Sequence, residues 1–158
     1  MKIFISFLLV ISMQSCMGQE NKKTTTKNSF KVTKTKAEWK QELSPQAYYV
    51  LRESGTERAF SSPLDKNYDE GVYVCAACKT PLYKSENKFD SGTGWPSFDR
   101  VISGNVAFSK EGNGYMGIEE HCATCGGHLG HVFNDGPKET TGKRHCINGV
   151  ALEFIPKS

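Results

Sequence analysis

The chain has 158 residues, a net charge of +3 and 23% charged residues, which fits one domain with a hydrophobic core and gives no indication of a nucleic-acid partner. Its fifteen glycines and scattered short apolar runs favour strands and turns over a helical bundle. We therefore expect a mainly β domain, and no sequence feature indicates an assembly larger than a monomer.

The pattern of residues 1–15 predicts an export signal. Met1 and Lys2 precede the apolar run IFISFLLVIS, which is shorter than the roughly twenty residues that a helix needs to span a bilayer. A small residue then precedes Cys16, as at the end of a bacterial lipoprotein signal, although Met13 stands where leucine is usual. We expect Cys16 to be lipidated, which would anchor an exported protein to a membrane of the bacterial envelope on the periplasmic side. Simple secretion with an unmodified Cys16 is the alternative.

A polar segment and two short helices follow the signal. Residues 16–36 contain few large apolar side chains and predict a flexible tether. The folded domain, residues 37–158, should open with two helices that bury Trp39; Ser44 supplies an N-cap for the second, and Gly55 can end it. Farther along the chain, brief apolar runs such as GVYVC and NVAFS alternate with turns, which is typical of a sheet.

Four of the six cysteines form two C-x-x-C units, and this spacing predicts a metal site. Two thiolates of one unit can approach a single ion at about 2.3 Å, and two units complete a tetrahedron without an open position. Disulfides are the alternative in an exported protein, and His121 could replace one thiolate. We expect one structural Zn²⁺ per chain, with these ligands: Cys75, Cys78, Cys122 and Cys125.

Two further segments contain candidate site residues. In KFDSGTGWPSFD, Trp95 lies between a glycine and a proline, so its side chain is fixed on a constrained loop that either lines a binding site or simply packs. GGHLGHVFNDGP contains His128 and His131, which would face opposite sides of a regular strand. Both histidines could serve one site only if Gly130 allowed a bulge or a turn.

Cys146 has no partner once the metal ligands are assigned. If residues 144–155 form one strand, Arg144, Cys146 and Asn148 lie on the same face. A guanidinium beside a thiol stabilises the thiolate and lowers its pKa from about 8.5. The Asn148 amide could donate to the sulfur or to a polar substrate group. The pattern indicates a nucleophile, and inert packing is the alternative.

These motifs together resemble the peptide-methionine-R-sulfoxide reductases of the B type. The similarity runs from about Trp39 to Phe154 and includes WPSF, HLGHVF, DGP, RHCIN and both C-x-x-C units. It implies two antiparallel sheets with short N-terminal helices around a zinc-stapled, barrel-like core. It also implies Cys146 as nucleophile and His131 as acid. The other implied site residues are Trp95 and Phe98 against the substrate, supported by His128, Asp135, Arg144 and Asn148.

The implied substrate is methionine-R-sulfoxide, free or in oxidised proteins. Many members of the family have a resolving cysteine within SG-x-GWPSF, where this chain has Thr93. An external thiol, from a thioredoxin-like protein or a small molecule, would then regenerate Cys146. An unlipidated Cys16 on its tether is an alternative resolving residue. An alternative of another class is a non-catalytic, zinc-stapled β domain that binds a peptide or a small ligand.

Overall fold

The computed structural model describes residues 30–109 and 117–158. The predicted signal and Cys16 lie outside these residues, as does most of the predicted tether. Within the described ranges, no helix is both long enough and apolar enough to cross a membrane. The Val32 N–H donates a hydrogen bond to the Thr124 carbonyl over 3.0 Å, so the packed region begins before the predicted boundary at Ala37.

Short helices and nine strands make up the described part of the chain. The helices are α1 Lys36–Glu42 and α2 Pro45–Glu53, with 3₁₀ turns at Pro63–Lys66, Ser85–Asn87 and Gly149–Ala151. The strands are β1 Gly71–Cys75, β2 Pro81–Lys84, β3 Lys88–Phe89, β4 Ser97–Phe98, β5 Val106–Phe108, β6 Ile118–Cys122, β7 His128–Phe133, β8 Arg144–Ile147 and β9 Leu152–Pro156.

The strands form two sheets in which every pair is antiparallel. One sheet has the order β2-β1-β9, and the other has the order β3-β4-β8-β7-β6-β5. The predicted fold of two antiparallel sheets with short N-terminal helices is therefore confirmed. Neighbouring strands β4, β8 and β7 belong to three separate segments of the chain, and this arrangement creates the site described below.

The two helices begin and end at local signals. The Ser44 hydroxyl accepts a hydrogen bond from the Ala47 N–H over 3.1 Å and caps α2 as predicted. The prediction that Gly55 ends this helix is wrong by one residue. Ser54 adopts the left-handed conformation, with φ of 54°, and the Gly55 N–H donates to the Tyr49 carbonyl.

Phe98 lies in the centre of the core. Its ring stacks on Tyr83 with centroids 4.4 Å apart and meets Tyr73 edge-on at 4.9 Å. Because none of its surface is exposed (0%), Phe98 cannot contact a substrate. The predicted role of Phe98 in substrate binding is therefore wrong, since its ring is enclosed by the two tyrosines.

The prediction of one strand over residues 144–155 is also wrong. Strand β8 ends at Ile147, a 3₁₀ turn follows, and β9 continues in the other sheet. The carboxylate of buried Glu57 accepts hydrogen bonds from the N–H groups of Gly149 and Val150, at 2.6 and 3.0 Å. These bonds stabilise the turn, whose N–H groups are not paired with a strand. The chain therefore passes from one sheet to the other directly after the segment that contains Cys146.

Candidate active site and metal centre

The two C-x-x-C units meet between the sheets. Their four sulfur atoms lie within 4.8 Å of one another, with 3.8 Å between Cys75 and Cys125 and 3.5 Å between Cys78 and Cys122. Sulfurs placed tetrahedrally around zinc at about 2.3 Å would be about 3.8 Å apart, whereas a disulfide bond measures about 2.05 Å. The four thiols are free, so the disulfide alternative is wrong and the arrangement fits a bound metal.

Three members of this four-cysteine group are buried. Cys75 and Cys122 are fully buried, Cys125 is 2% exposed and Cys78 is half-buried. Hydrogen bonding to Cys122 and Cys125 raises the pKa of Cys75, and hydrogen bonding to the same two thiols lowers the pKa of Cys78. A cation would neutralise these neighbouring thiolates. His121, the alternative ligand, is not in the group, and its ring packs edge-on against Phe30 at 6.1 Å.

Cys146 lies in the middle of the six-stranded sheet. The register places it opposite Ser97 on β4 and opposite His131 on β7. Gly130 allows the strands to approach closely, because a Cβ atom there would lie 2.1 Å from the Cys146 carbonyl oxygen. The WPSF and HLGHVF segments therefore flank the thiol directly on its two sides.

A cavity of about 180 Å³ opens at Cys146. Its lining includes Thr56, Trp95, His131, Phe133, Cys146 and Asn148. Trp95 is half-buried, and its indole N–H donates to the Glu57 carbonyl over 3.2 Å. A larger groove of about 570 Å³ lies beside the three-stranded sheet, and its described lining contains neither a thiol nor an imidazole. The smaller cavity is therefore the candidate active site.

A bulge in β7 places the two histidines side by side. The pairing with β6 slips between His128 and Gly130, which leaves Leu129 as an extra residue. The ring centroids of His128 and His131 are consequently 5.4 Å apart. The bulge on which the sequence argument depended therefore forms next to Gly130, at Leu129, and it brings the two rings together while only His131 is among the residues that line the cavity.

The two histidines differ in burial and in their hydrogen-bond partners. His128 is 4% exposed, its Nδ1 lies 2.8 Å from Oε1 of Glu119, and its Nε2 has no hydrogen-bond partner among the described residues. Burial lowers the pKa of His131, and the adjacent His128 lowers it further. A protonated His131 is consequently a stronger acid than an ordinary histidine. Glu119 was not apparent from the sequence, because only the strand pairing brings it to this position.

The environment of the Cys146 thiol differs from the prediction. Burial raises its pKa, while hydrogen bonding with Thr93 and the positive charge of Arg144 act in the opposite direction. The predicted lowering by Arg144 is confirmed in direction, but burial outweighs all the opposing contributions, so the net pKa of Cys146 lies above its ordinary value. Each donor beside the sulfur therefore favours its ionisation.

Arg144 is shared between the thiol and a carboxylate. Its Nε and Nη2 donate to the two oxygens of Asp135 at 2.9 and 2.8 Å, and its guanidinium lies 4.4 Å from the ring centroid of Phe133. The hydrogen bonds to Arg144 lower the pKa of the Asp135 carboxyl. Asp135 thus orients the Arg144 guanidinium beside Cys146 and offsets part of the positive charge of that guanidinium.

Asn148 lines the cavity, and its amide also connects two other segments of the chain. Its Nδ2 donates to the Leu129 carbonyl and its Oδ1 accepts from the Glu57 N–H, each over 2.9 Å. This bond uses one of the two Nδ2 hydrogens, so donation by the other to the sulfur or to a substrate stays a prediction. Asn148 also joins β7 to the loop containing Glu57, a residue that no sequence pattern indicated.

The fold and the site define a class of protein: a mainly β domain, cross-linked by a four-cysteine group, that presents a separate thiol beside an imidazole and an indole in one cavity. The chain belongs to the SelR domain family, whose sequence profile matches residues 43–156.

Similar proteins carry names that agree with this family. Peptide methionine sulfoxide reductase MsrB of Methanosarcina barkeri is 54% identical over 125 residues, which cover 78% of this chain and 87% of the relative. The protein of the same name from Leptospira interrogans is 48% identical over 129 residues, covering 80% and 97%. Methionine-R-sulfoxide reductase B3, mitochondrial, of Mus musculus is 46% identical over 132 residues, covering 82% and 52%.

Proposed function

We propose that this protein reduces methionine-R-sulfoxide to methionine, with Cys146 as the nucleophile. The observation that carries the proposal is that Cys146, His131 and Trp95, from three separate segments, line one cavity. These are the side-chain types that the reaction requires: a thiolate for the electrophilic sulfoxide, a proton donor for its oxygen, and an apolar wall for its methyl group. The names of the similar proteins support the same reaction.

The first step transfers oxygen from the substrate to Cys146. The ionised sulfur of Cys146 forms a bond to the sulfoxide sulfur while His131 protonates the sulfoxide oxygen. The resulting hydroxyl group then moves to the cysteine sulfur, and the sulfur–sulfur bond and the bond between the oxygen and the methionine sulfur both break. The cysteine is oxidised by two electrons to a sulfenic acid, and the sulfoxide is reduced by two electrons to a thioether. Trp95 and Phe133 form the apolar wall, so methyl group, oxygen and sulfur each have a fixed position, which selects one epimer at sulfur.

The second step requires a thiol from outside the domain. Every other cysteine in the described residues belongs to the four-cysteine group, and Thr93 stands at the resolving position. An external thiol displaces water from the sulfenic acid and forms a mixed disulfide. A second thiol then releases Cys146 and leaves with the first as a disulfide. A thioredoxin-like protein or a small thiol would supply both thiols.

We further propose that the four-cysteine group binds one structural Zn²⁺. All four ligand atoms come from cysteine, the arrangement is compact and closed, and it joins a turn of each sheet. The ion would stabilise the fold and take no part in the transfer of oxygen.

We also propose that Cys16 is lipidated and anchors the protein to an envelope membrane, where oxidised envelope proteins would be substrates. The apolar run before Cys16 supports this proposal. Mass spectrometry of the mature N-terminus tests it, and an unmodified Cys16, or a retained signal, would contradict it.

Turnover of the separate R and S sulfoxides of a blocked methionine, with dithiothreitol as reductant, tests the main proposal. We expect the unmodified protein to reduce the R epimer alone and Cys146→Ser to reduce neither. Cys16→Ser serves as the matched control and should retain turnover. Unchanged R-epimer reduction by Cys146→Ser would refute the nucleophile assignment. Saturable binding of the sulfoxide without turnover by the unmodified protein would favour a non-catalytic binding domain.

A further inference from the structure

Three hydroxyl groups form a continuous chain beside the nucleophile. The Thr93 Oγ1 lies 3.8 Å from the Cys146 Sγ and 2.8 Å from the Ser91 Oγ, which in turn lies 2.7 Å from the Ser97 Oγ. The Ser97 hydroxyl donates to the Trp95 carbonyl over 3.1 Å. The chain therefore runs from the reactive sulfur to the main chain of the residue that forms the apolar wall.

The protons of this chain have a defined direction when the thiol is neutral. Because Ser97 donates to a carbonyl, its oxygen accepts the Ser91 proton, and Ser91 in turn accepts from Thr93. Thr93 is then free to accept from the S–H of Cys146. An ionised sulfur can only accept, so the three hydroxyls must reverse: Thr93 donates to Cys146 and accepts from Ser91, and Ser91 accepts from Ser97.

We propose that Thr93 is a catalytic residue whose hydroxyl donates a hydrogen bond to the ionised sulfur of Cys146, while Ser91 and Ser97 act as positioning residues that hold it there. This inference deepens the proposed function and rests on Cys146 being its nucleophile. The family resemblance places a resolving cysteine at this position, whereas in this protein the position holds a donor to the nucleophile.

The loop that contains Thr93 is shaped to hold the hydroxyl at the sulfur. Gly92 and Gly94, on either side, have φ of +71° and +87°, a region that favours glycine. The Phe60 N–H donates to the Gly94 carbonyl over 2.7 Å, and the Gly92 N–H donates to Asp90 Oδ1 over 3.0 Å. The loop is therefore anchored on both sides of Thr93.

Other donors do not make Thr93 redundant. Two donor atoms of Arg144 are bound to Asp135, which offsets part of its charge. One of the two donors of the Asn148 amide is bound to the Leu129 carbonyl. Burial raises the pKa of Cys146; hydrogen bonding with Thr93 opposes this, as do the charge and a hydrogen bond of Arg144 and a hydrogen bond of Ser97. Removal of this hydroxyl should therefore disfavour the thiolate.

Alkylation of Cys146 by iodoacetamide, followed by peptide mass spectrometry across a pH series, tests the inference in the full chain. Thr93→Val has nearly the same shape but lacks the hydroxyl, whereas Thr93→Ser retains it. We expect Thr93→Val to move the alkylation midpoint up by about one pH unit and to slow alkylation at neutral pH about tenfold. Thr93→Ser should remain close to the unmodified protein. Superimposable profiles for the valine and serine variants would overturn the inference.

Ser91→Ala tests the positioning role separately. It should shift the alkylation midpoint in the same direction by a smaller amount. In the double variant it should add little to the shift caused by Thr93→Val, because both substitutions interrupt the same series of hydroxyl hydrogen bonds. Full additivity, or no shift in Ser91→Ala, would overturn the role of Ser91. Thermal unfolding of each variant controls for general loss of structure.

The alkylation assay contains no substrate, so its failure can be told apart from failure of the proposed function. Loss of R-epimer reduction in Cys146→Ser together with unchanged alkylation in Thr93→Val would remove only the role of Thr93. Retained reduction in Cys146→Ser would remove the proposed nucleophile, and with it the catalytic role of Thr93, whatever the alkylation result.

Discussion

The carboxylate of Glu119 and the imidazole of His128 are hydrogen-bonded, with 2.8 Å between Oε1 and Nδ1. Hydrogen bonds from His128 and Ser109 keep the pKa of Glu119 low although its partial burial opposes this, so the carboxylate is ionised and can only accept. The proton of this hydrogen bond consequently lies on Nδ1 of His128. A neutral His128 would then present an unprotonated Nε2 beside His131, and this tautomer is fixed by a residue on a neighbouring strand.

Glu119→Gln should shift the pH dependence of turnover. The substitution removes a negative charge that raises the pKa of His131, so that pKa falls further below its ordinary value. The part of the curve of turnover against pH that reflects the titration of His131 should therefore move to lower pH. Because a hydrogen bond to a charged group is lost, we expect maximal R-epimer turnover to drop about tenfold. Glu139→Gln, at an exposed glutamate, is the control. An unchanged limb would contradict the role of Glu119.

Arg144→Met should make Cys146 less reactive at neutral pH. The methionine retains apolar contact with Phe133 but removes the positive charge that stabilises the thiolate. The already raised pKa of Cys146 should rise further, so a smaller fraction is ionised at any pH below it. We expect iodoacetamide alkylation at neutral pH to slow about tenfold per pKa unit gained. Arg144→Lys keeps a positive charge, so its alkylation rate should lie between those of the unmodified protein and of Arg144→Met. Faster alkylation in Arg144→Met would refute the electrostatic assignment.

Short-range patterns in the sequence predicted several features of the site correctly. Alternation along the strand places His145 and Ile147 in the buried face and leaves Arg144 and Cys146 on the other, as the period of a β-strand requires. The C-x-x-C spacing likewise predicted the four-cysteine group, because both ligands of one unit lie in a single turn. These features depend on residues that are close together in the chain.

The features that were missed depend on residues that are far apart in the chain. Glu57 reaches Gly149, and Thr93 reaches Cys146, through the pairing and loop packing of separate segments. A motif also does not show which of its residues are buried. Phe98 belongs to WPSF, but its ring is buried in the core because it stacks on Tyr83, a residue from another strand. The raised pKa of Cys146 has the same origin, since burial depends on the whole fold.

Phe98→Ala should destabilise the fold and should not act by weakening substrate binding. Removal of a fully buried phenylalanine leaves a cavity between Tyr73 and Tyr83, and we expect a loss of about 3–5 kcal/mol in the free energy of unfolding. Denaturant titration measures this loss. Phe108→Ala, at a ring that is 44% exposed, is the control and should cost much less. A stable Phe98→Ala protein with a raised KM would restore the substrate-binding role.

Cys78→Ser should release the metal and lower the thermal midpoint by several degrees. The substitution removes one of four ligands from a group that joins turns of the two sheets. Elemental analysis after dialysis against a chelator measures the metal content. We expect one zinc ion per chain in the unmodified protein and in Cys146→Ser, and much less in Cys78→Ser. Equal metal content in all three proteins would contradict the assignment of the ligands.

Thr93→Cys should convert the protein into one that resolves its own sulfenic acid. The Thr93 Oγ1 lies 3.8 Å from the Cys146 Sγ, so a sulfur at this position needs only a small displacement to reach disulfide distance. One equivalent of methionine-R-sulfoxide without reductant should oxidise Cys146, and the new thiol should displace water from the sulfenic acid. Mass spectrometry should then detect an internal disulfide and no sulfenic acid that dimedone can trap. Thr93→Ser should give the dimedone adduct instead. A persistent adduct in Thr93→Cys would contradict the geometry, because the two sulfurs would then not meet within the folded domain.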